Sequence, residues 1–305
     1  MIKQVLKKIL PDPYKGEYCV GFVDKKEIVP NSDSWYDKVK WIDVNRYKKE
    51  GWFADPFFYE VTDTHIILFA EEWFYEINRG RLVKLTIRRK DYFLEKVDPI
   101  LTLDTHLSFP IIWNEDGKTY VYPENEQGGA LKIYELDSST QQLVNPRVLI
   151  NERLIDSQIA KINNDYFIFG VILTSGAWSD TRLLQIYKAD NLFGPFTHIQ
   201  TIENSNNQER GAGDIIVTQR GTLLRPAQNC DGAYGKETII YEMNYDGGQF
   251  IEKELYRILP NEKMCNGEVL HTYNEYNSLC VIDGFQHEYP LIFKIAKRLR
   301  PNLQI

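Results

Sequence analysis

The sequence is short of basic residues for its acidity. Among 305 residues, 36 are lysine or arginine and 43 are aspartate or glutamate, a formal charge of −7. That balance gives no general attraction for nucleic acid or an anionic membrane, and no nucleic acid is expected as a partner. Cysteine is scarce. Cys19, Cys230, Cys265 and Cys280 form no CxxC pair, which excludes zinc-ribbon and thioredoxin-type sites. Scattered thiols suit a reducing compartment, so a cytoplasmic location is expected. No run of 18 apolar residues occurs, so no transmembrane segment is expected. The first ten residues interrupt their apolar side chains with Lys3, Lys7 and Lys8 and hold no signal-peptide core. They read as a short amphipathic helix ended by Pro11 and Pro13. Such a segment serves membrane-surface or partner docking, or is simply a capping helix or tail. The expected organisation is an extension over 1–16 and one domain over 17–305.

Aromatic residues are plentiful at 13%. They favour β structure and supply flat faces for stacking on sugars. Hydrophobic residues at 43% and charged residues at 26% are ordinary globular values.

One form recurs five times along the chain: a small or acidic opening, an apolar strand, a turn and a second strand. The openings fall near 55, 109, 156, 214 and 268, at intervals of 54, 47, 58 and 54. The turns hold Thr62-Asp63-Thr64, Asp116-Gly117, Asn163-Asn164-Asp165, Arg220-Gly221 and Glu275-Tyr276-Asn277. Third strands fit at 81–87, 130–136, 182–189 and 238–243. Each unit is then a four-stranded antiparallel sheet of about 50 residues. Five such units predict an all-β, five-bladed β-propeller, the regular recurrence arguing against a β-sandwich. A strand over Glu17–Val23 is placed to close the ring by joining the last blade.

Innermost strands converge on a propeller's axis, so their opening residues ring one funnel. Asp55, Asp156 and Asp214 are therefore expected around a common cavity, although a strand-entry aspartate is also a common turn cap. Carboxylates crowded into one pocket acquire separated pKa values, which acid–base cleavage of a glycosidic bond requires. Second-strand ends add Glu71, Glu72, Glu124, Gln228 and Asp283. Glu71 and Glu72 point to opposite faces, so at most one faces the funnel. Glu72 is taken for that role, and Glu124 is a candidate acid.

Glu209, Arg210, Asp214, Arg225 and Gln228 form the densest polar group. Guanidinium forks and amides hold hydroxyls and carboxylates directionally. Arg225 interrupts an apolar strand and faces either a ligand or a buried carboxylate. His106 and His271 are further candidates, each as easily a satisfied core residue. Trp52, Phe53, Trp73 and Trp178 are candidates for a stacking platform or for blade packing. No metal-ligand spacing, GxSxG elbow, phosphate loop or DxD motif occurs, so no cofactor or metal is expected.

Taken together, Trp52–Phe57, Leu68–Glu72, His106–Pro110, Tyr122–Glu124, Arg210–Gly213 and Leu224–Cys230 resemble one family. It is the propeller at the N-terminus of plant glucosamine inositolphosphorylceramide transferases, found also in bacterial surface-polysaccharide loci. His271–Tyr273 and Val281–Gly284 fit its last blade, and the likeness spans about residues 17 to 295. The family is distantly similar to five-bladed glycoside hydrolases and furanosidases. The resemblance implies Asp55 as base or nucleophile, Asp156 as positioner and Glu209 as the nearest analogue of the acid. Blade three departs from the pattern, with Asp156-Ser157 in place of Asp-Pro. The expected function is making or cleaving a glycosidic bond in surface-polysaccharide metabolism. Glu72, His106, Arg210, Asp214, Arg225, Gln228, His271 and Asp283 are expected to hold substrate. The alternative is a non-catalytic glycan-binding or scaffold propeller assisting a separate glycosyltransferase or other biosynthetic enzyme.

Overall fold

The computed structural model describes residues 15–173, 182–203, 208–218 and 220–299. The predicted N-terminal helix over 1–10, and Trp178, lie outside these residues.

The chain builds five four-stranded antiparallel sheets. It begins with β1 (Gly16–Asp24) and the short β2 (Lys40–Trp41). The first complete sheet is β3 (Gly51–Val61), β4 (His65–Phe74), β5 (Arg79–Arg88) and β6 (Phe93–Leu101). The second is β7 (Ser108–Glu115), β8 (Lys118–Glu124), β9 (Leu131–Leu136) and β10 (Leu143–Ile150). The third is β11 (Ile155–Ile162), β12 (Asp165–Leu173), β13 (Arg182–Ala189) and β14 (Thr197–Glu203). The fourth is β15 (Ile216–Val217), β16 (Leu223–Asn229), β17 (Glu237–Asp246) and β18 (Gln249–Ile258). β19 (Tyr273–Tyr276) and β20 (Leu279–His287) take β1 and β2 as their outer strands and complete the fifth. β1 runs antiparallel to β20 from Gly16 opposite His287 to Asp24 opposite Leu279. The molecule is a five-bladed propeller, and the chain's first strand closes it as expected. One helix follows, α1 (Pro290–Leu299). Among the described residues no helix is long and apolar enough to cross a membrane.

Alternation within each strand sends apolar side chains between the blades. Phe109, Ile111 and Tyr122 of blade two pack with Ile159 and Ile168 of blade three. Phe53, Leu68 and Val83 of blade one pack with Val20 and Val281 of blade five. The inner strands are also tied edge to edge. Phe109 N–H donates to Asp55, Gln158 Nε2 to Gly213 O, Asp214 N–H to Asn274, and Asn274 Nδ2 to Pro56 O.

Blades one, two and three share a β-bulge where the sequence repeat opens. The register slips between Ala54 and Phe57, Ser108 and Ile111, and Ile155 and Gln158. Asp55, Phe109 and Asp156 sit in these bulges with left-handed φ of 48°, 47° and 42°. Aspartate tolerates that region better than most residues, and a bulge re-aims its side chain. Blade four differs from expectation. Its inner strand is only β15, preceded by an isolated bridge from Gly211 to Ala227. Gly213, at φ 147°, passes so close to blade five that a Cβ would lie 2.1 Å from Tyr273 O. Only glycine fits there.

Candidate active site

The bulges decide where the acids point. Asp55 is nearly buried and lies between three blades. Its Oδ2 accepts from Phe109 N–H at 3.1 Å and its Oδ1 from Thr272 Oγ1 at 2.7 Å. Its own amide donates to Asp283 Oδ2 at 3.0 Å. Burial pushes its carboxyl up to about 6, with His271 opposing and Asp283 and Asp156 adding to the rise.

His271 lies between two aspartates. Nδ1 is 2.7 Å from Asp283 Oδ2 and Nε2 is 3.8 Å from Asp55 Oδ1. Burial alone would lower its pKa, but Asp283 and then Asp55 outweigh it and hold it at about 9. Ligand-type atoms of Asp55, His271 and Asp283 lie within 4.8 Å of one another, a spacing a cation can use. The bonding of Asp283 is already complete, however. The Asp283 oxygens also accept from His271 N–H and Thr272 N–H, at 3.3 and 2.9 Å. A carboxylate offers about four such places, and all are taken. Asp283 and His271, expected to bind substrate, both lie against Asp55.

Asp156 is clamped. Its Oδ2 accepts from Arg210 Nε at 2.6 Å and from Gln228 Nε2 at 2.9 Å. Arg210 lies over the Tyr234 ring, 4.9 Å from its centroid. Arg210 and Gln228 thus join the cluster by holding Asp156.

The second strands bring two more acids. Ala54 pairs with Glu71 and Ser108 with Glu124, the same slot in consecutive blades. Glu124 accepts from Ser108 Oγ and from Glu126 N–H. Burial and then Asp156 push it up to about 7. Glu71 is held well above the usual carboxylate range by burial and then by Asp55 and Glu124. Its Oε1 is buried without a hydrogen-bond partner among the described residues, 3.7 Å from His106 Nε2. His106 Nδ1 accepts from Gly80 N–H, which leaves the ring proton on Nε2, and burial lowers its pKa. Glu71 therefore holds its proton more tightly than an ordinary carboxyl does.

Three expected residues stand apart. Glu72 turns to the opposite face, as strand alternation requires of one of the pair. It binds Arg81 at 2.6 Å, and Arg81 covers the Phe74 ring. Arg225 is fully buried inside blade four against Glu252 at 2.5 Å, and donates to Glu209 O. It is the buried ion pair, with Glu252 as its partner. Asp214 lies just before β15. Burial pushes its carboxyl up to about 7, and its charge is felt by Tyr122. Glu209 is fully buried beside Arg210.

Aromatic rings pack beside this group. Trp52 and Trp73 stack at 5.7 Å and 9°, with Trp73 reaching His106 and Trp52 reaching Tyr18. Tyr18 stacks on His271 at 4.6 Å. Phe53, by contrast, is wholly in the core. Tyr18, Tyr234 and Thr272 were not expected here. Placing β1 against β20, with Tyr18 opposite Phe285, is what brings Tyr18 in.

These protonation states fix a direction for stability. Asp55, Glu124 and Asp214 stand above the ordinary carboxylate value, and His271 above that of histidine. The folded chain therefore holds protons that the unfolded chain has released, from about pH 4 through pH 9. The stability these groups contribute is expected to be full below about pH 4 and to be lost as pH rises toward 9. Calorimetric Tm across that range checks this; a rising Tm would contradict these protonation states.

Residues 43–268 match the family described as "Glucosamine inositolphosphorylceramide transferase 1, N-terminal". Two proteins named Glucosamine inositolphosphorylceramide transferase 1 are similar in sequence. The one from Oryza sativa subsp. japonica is 26% identical over 210 residues, covering 68% of this chain and 27% of that protein. The one from Arabidopsis thaliana is 26% identical over 207 residues, covering 67% and 26%. The chain spans about a quarter of the length of these relatives. In fold it is similar to an exo-β-1,3-galactanase from Clostridium thermocellum, with TM-score 0.52 and 14% identity over 68% of this chain and 50% of the other. It is also similar to an α-L-arabinanase from Cellvibrio cellulosa, with TM-score 0.51 and 12% identity over 75% and 83%.

Proposed function

The chain belongs to the family of the N-terminal region of glucosamine inositolphosphorylceramide transferase 1, and from that premise we propose that it makes or cleaves a glycosidic bond in a glycan. The observation that carries this reading is the gathering of Asp55, Glu71, Glu124 and Asp156 from three blades at one stack-lined mouth. Glycosyl transfer needs one ionised and one protonated carboxyl across the scissile bond. Asp55, at about 6, ionises below Glu124, at about 7. As base it takes the proton of the attacking water or sugar hydroxyl; as nucleophile it attacks the anomeric carbon directly. Glu124, Glu71 or Glu209 gives its proton to the leaving oxygen. Asp156, fixed by Arg210 and Gln228, holds the sugar and adds to the field that separates the pKa values. Trp52 and Trp73 give the sugar ring a face to stack on.

A second reading has its own support. Asp55 and Glu71 each keep 5% of their surface and Asp156 keeps 3%. Buried acids that cap backbone amides also suit a non-catalytic propeller that binds a glycan or assists a separate glycosyltransferase. Turnover separates the two. The full chain is incubated with oligosaccharides and aryl glycosides of several sugars, and products are read by mass spectrometry. Binding without turnover on any of them overturns the enzyme reading.

The pH profile follows from the same groups. Asp55 must be ionised, so the rate should rise through about pH 6. With Glu124 as acid it should fall through about pH 7. Glu124→Gln is then expected to lower the rate and flatten the alkaline limb. An unchanged alkaline limb transfers the acid role to Glu71 or Glu209.

A further inference from the structure

Beside the funnel mouth lies a surface unlike the rest of the chain. β20 runs out on the side where Asp283 and His271 meet Asp55, and α1 follows within three residues. A file of rings joins helix to funnel. Phe293 of α1 stacks on His287 at 3.6 Å and 12°. His287 meets Phe285 edge-on, Phe285 meets Tyr18, and Tyr18 stacks on His271. Phe293 thus faces the body. Leu291, Ile292 and Ile295 fall on another side and are 77%, 36% and 58% exposed. A surface helix normally buries such a stripe; this one presents it to water.

The sequence from Tyr289 onward is basic. Lys294, Lys297, Arg298 and Arg300 follow in sequence, and no acid occurs from Tyr289 to Ile305. Gly16 pairs with His287, and Lys15 bridges Glu288 at 2.7 Å. The N-terminal segment therefore joins the body next to α1. Residues 1–10 repeat the pattern in sequence: Lys3, Lys7 and Lys8 among Ile2, Val5, Leu6, Ile9 and Leu10, again with no acid. Both stretches are basic in sequence, in a chain whose net charge is −7.

We propose that this edge docks on an anionic lipid bilayer, with Leu291, Ile292 and Ile295 entering the interface and the cations at the level of the lipid phosphates. Apolar stripe and basic flank together are what a negatively charged membrane surface binds. A second copy, or residues 1–10 laid over the stripe, would bring like charges together. Docking at this edge holds the funnel mouth beside the bilayer. The docking does not depend on the glycan reading above.

The test is co-sedimentation of the full chain with vesicles of phosphatidylcholine alone, and of phosphatidylcholine containing phosphatidylglycerol. Binding is expected only with phosphatidylglycerol, and should weaken as salt rises. Leu291→Glu with Ile295→Glu should abolish it. Lys297→Glu with Arg298→Glu should weaken it by at least about tenfold. Both pairs should leave Tm unchanged. No binding to anionic vesicles, or undiminished binding by both variants, overturns the proposal. So does a concentration-dependent dimer, without vesicle binding, that Leu291→Glu disperses. None of these results bears on turnover in solution, so the two proposals fail separately.

Discussion

Asp55→Asn is expected to remove glycan turnover by a factor of about 10² to 10⁴ while leaving the propeller folded. The substitution keeps the shape of the side chain. Its remaining oxygen can accept the Phe109 N–H, and the Thr272 hydroxyl can turn to accept from the new amide. What disappears is the charge. Asparagine takes up no proton from an attacking hydroxyl and is no nucleophile. The loss also reaches His271, which keeps only Asp283 as its close anionic partner, so its pKa should fall. That shift is readable by NMR titration of the imidazole even without a substrate. The comparison with Asp55→Ala is informative. Alanine leaves the buried Phe109 amide without an acceptor, at a cost of about 1–3 kcal/mol. If Asp55→Asn matches the native chain in turnover, Asp55 is a structural cap and the catalytic assignment fails. If asparagine and alanine lose the same stability, the hydrogen-bond account of the bulge fails instead.

The bulges explain how much of this site could be read in advance. The fivefold plan was legible because its markers are local: a tight turn, an alternating strand, an opening at a steady interval. Asp55 and Asp156 were legible as openings of repeat units. Their left-handed backbone, shared with Phe109, was not, since nothing in a strand pattern marks one extra residue. That extra residue also hid which glutamate faces the funnel. Alternation says that Glu71 and Glu72 part; only the pairing of Ala54 with Glu71 says which way. Aligning Phe69-Ala70-Glu71 with Tyr122-Pro123-Glu124 would have chosen Glu71, because both glutamates follow the same position of the repeat. Tyr18 was hidden for another reason. It comes from the strand that closes the ring, and its neighbours are about 250 residues away in sequence. The Asp156–Arg210–Gln228 clamp likewise spans blades three and four, so its members were recognisable as polar but their roles were not.

Arg225 shows the same limit, and its replacement should have the largest effect on stability. The residue stood out in sequence as a cation inside an apolar strand. Its partner could not be named, because Glu252 lies two strands away in blade four. Both side chains are closed off from water, with 0% and 6% exposure. Arg225→Ala leaves a buried carboxylate without its cation, and removes the guanidinium donor to the Glu209 carbonyl. Breaking such a pair costs about 3–5 kcal/mol, which lowers Tm on the order of 10 °C in a domain of this size. Removing both charges is a different matter. Arg225→Met with Glu252→Leu fills the same space with apolar groups and spares the desolvation of two ions, so much of the lost stability should return. Scanning calorimetry of the single and double variants measures the difference. Because Arg225 faces into the blade and away from Asp55, the double variant should also keep native turnover. A double variant that regains its Tm but not its activity would put Arg225 back among the groups that hold substrate.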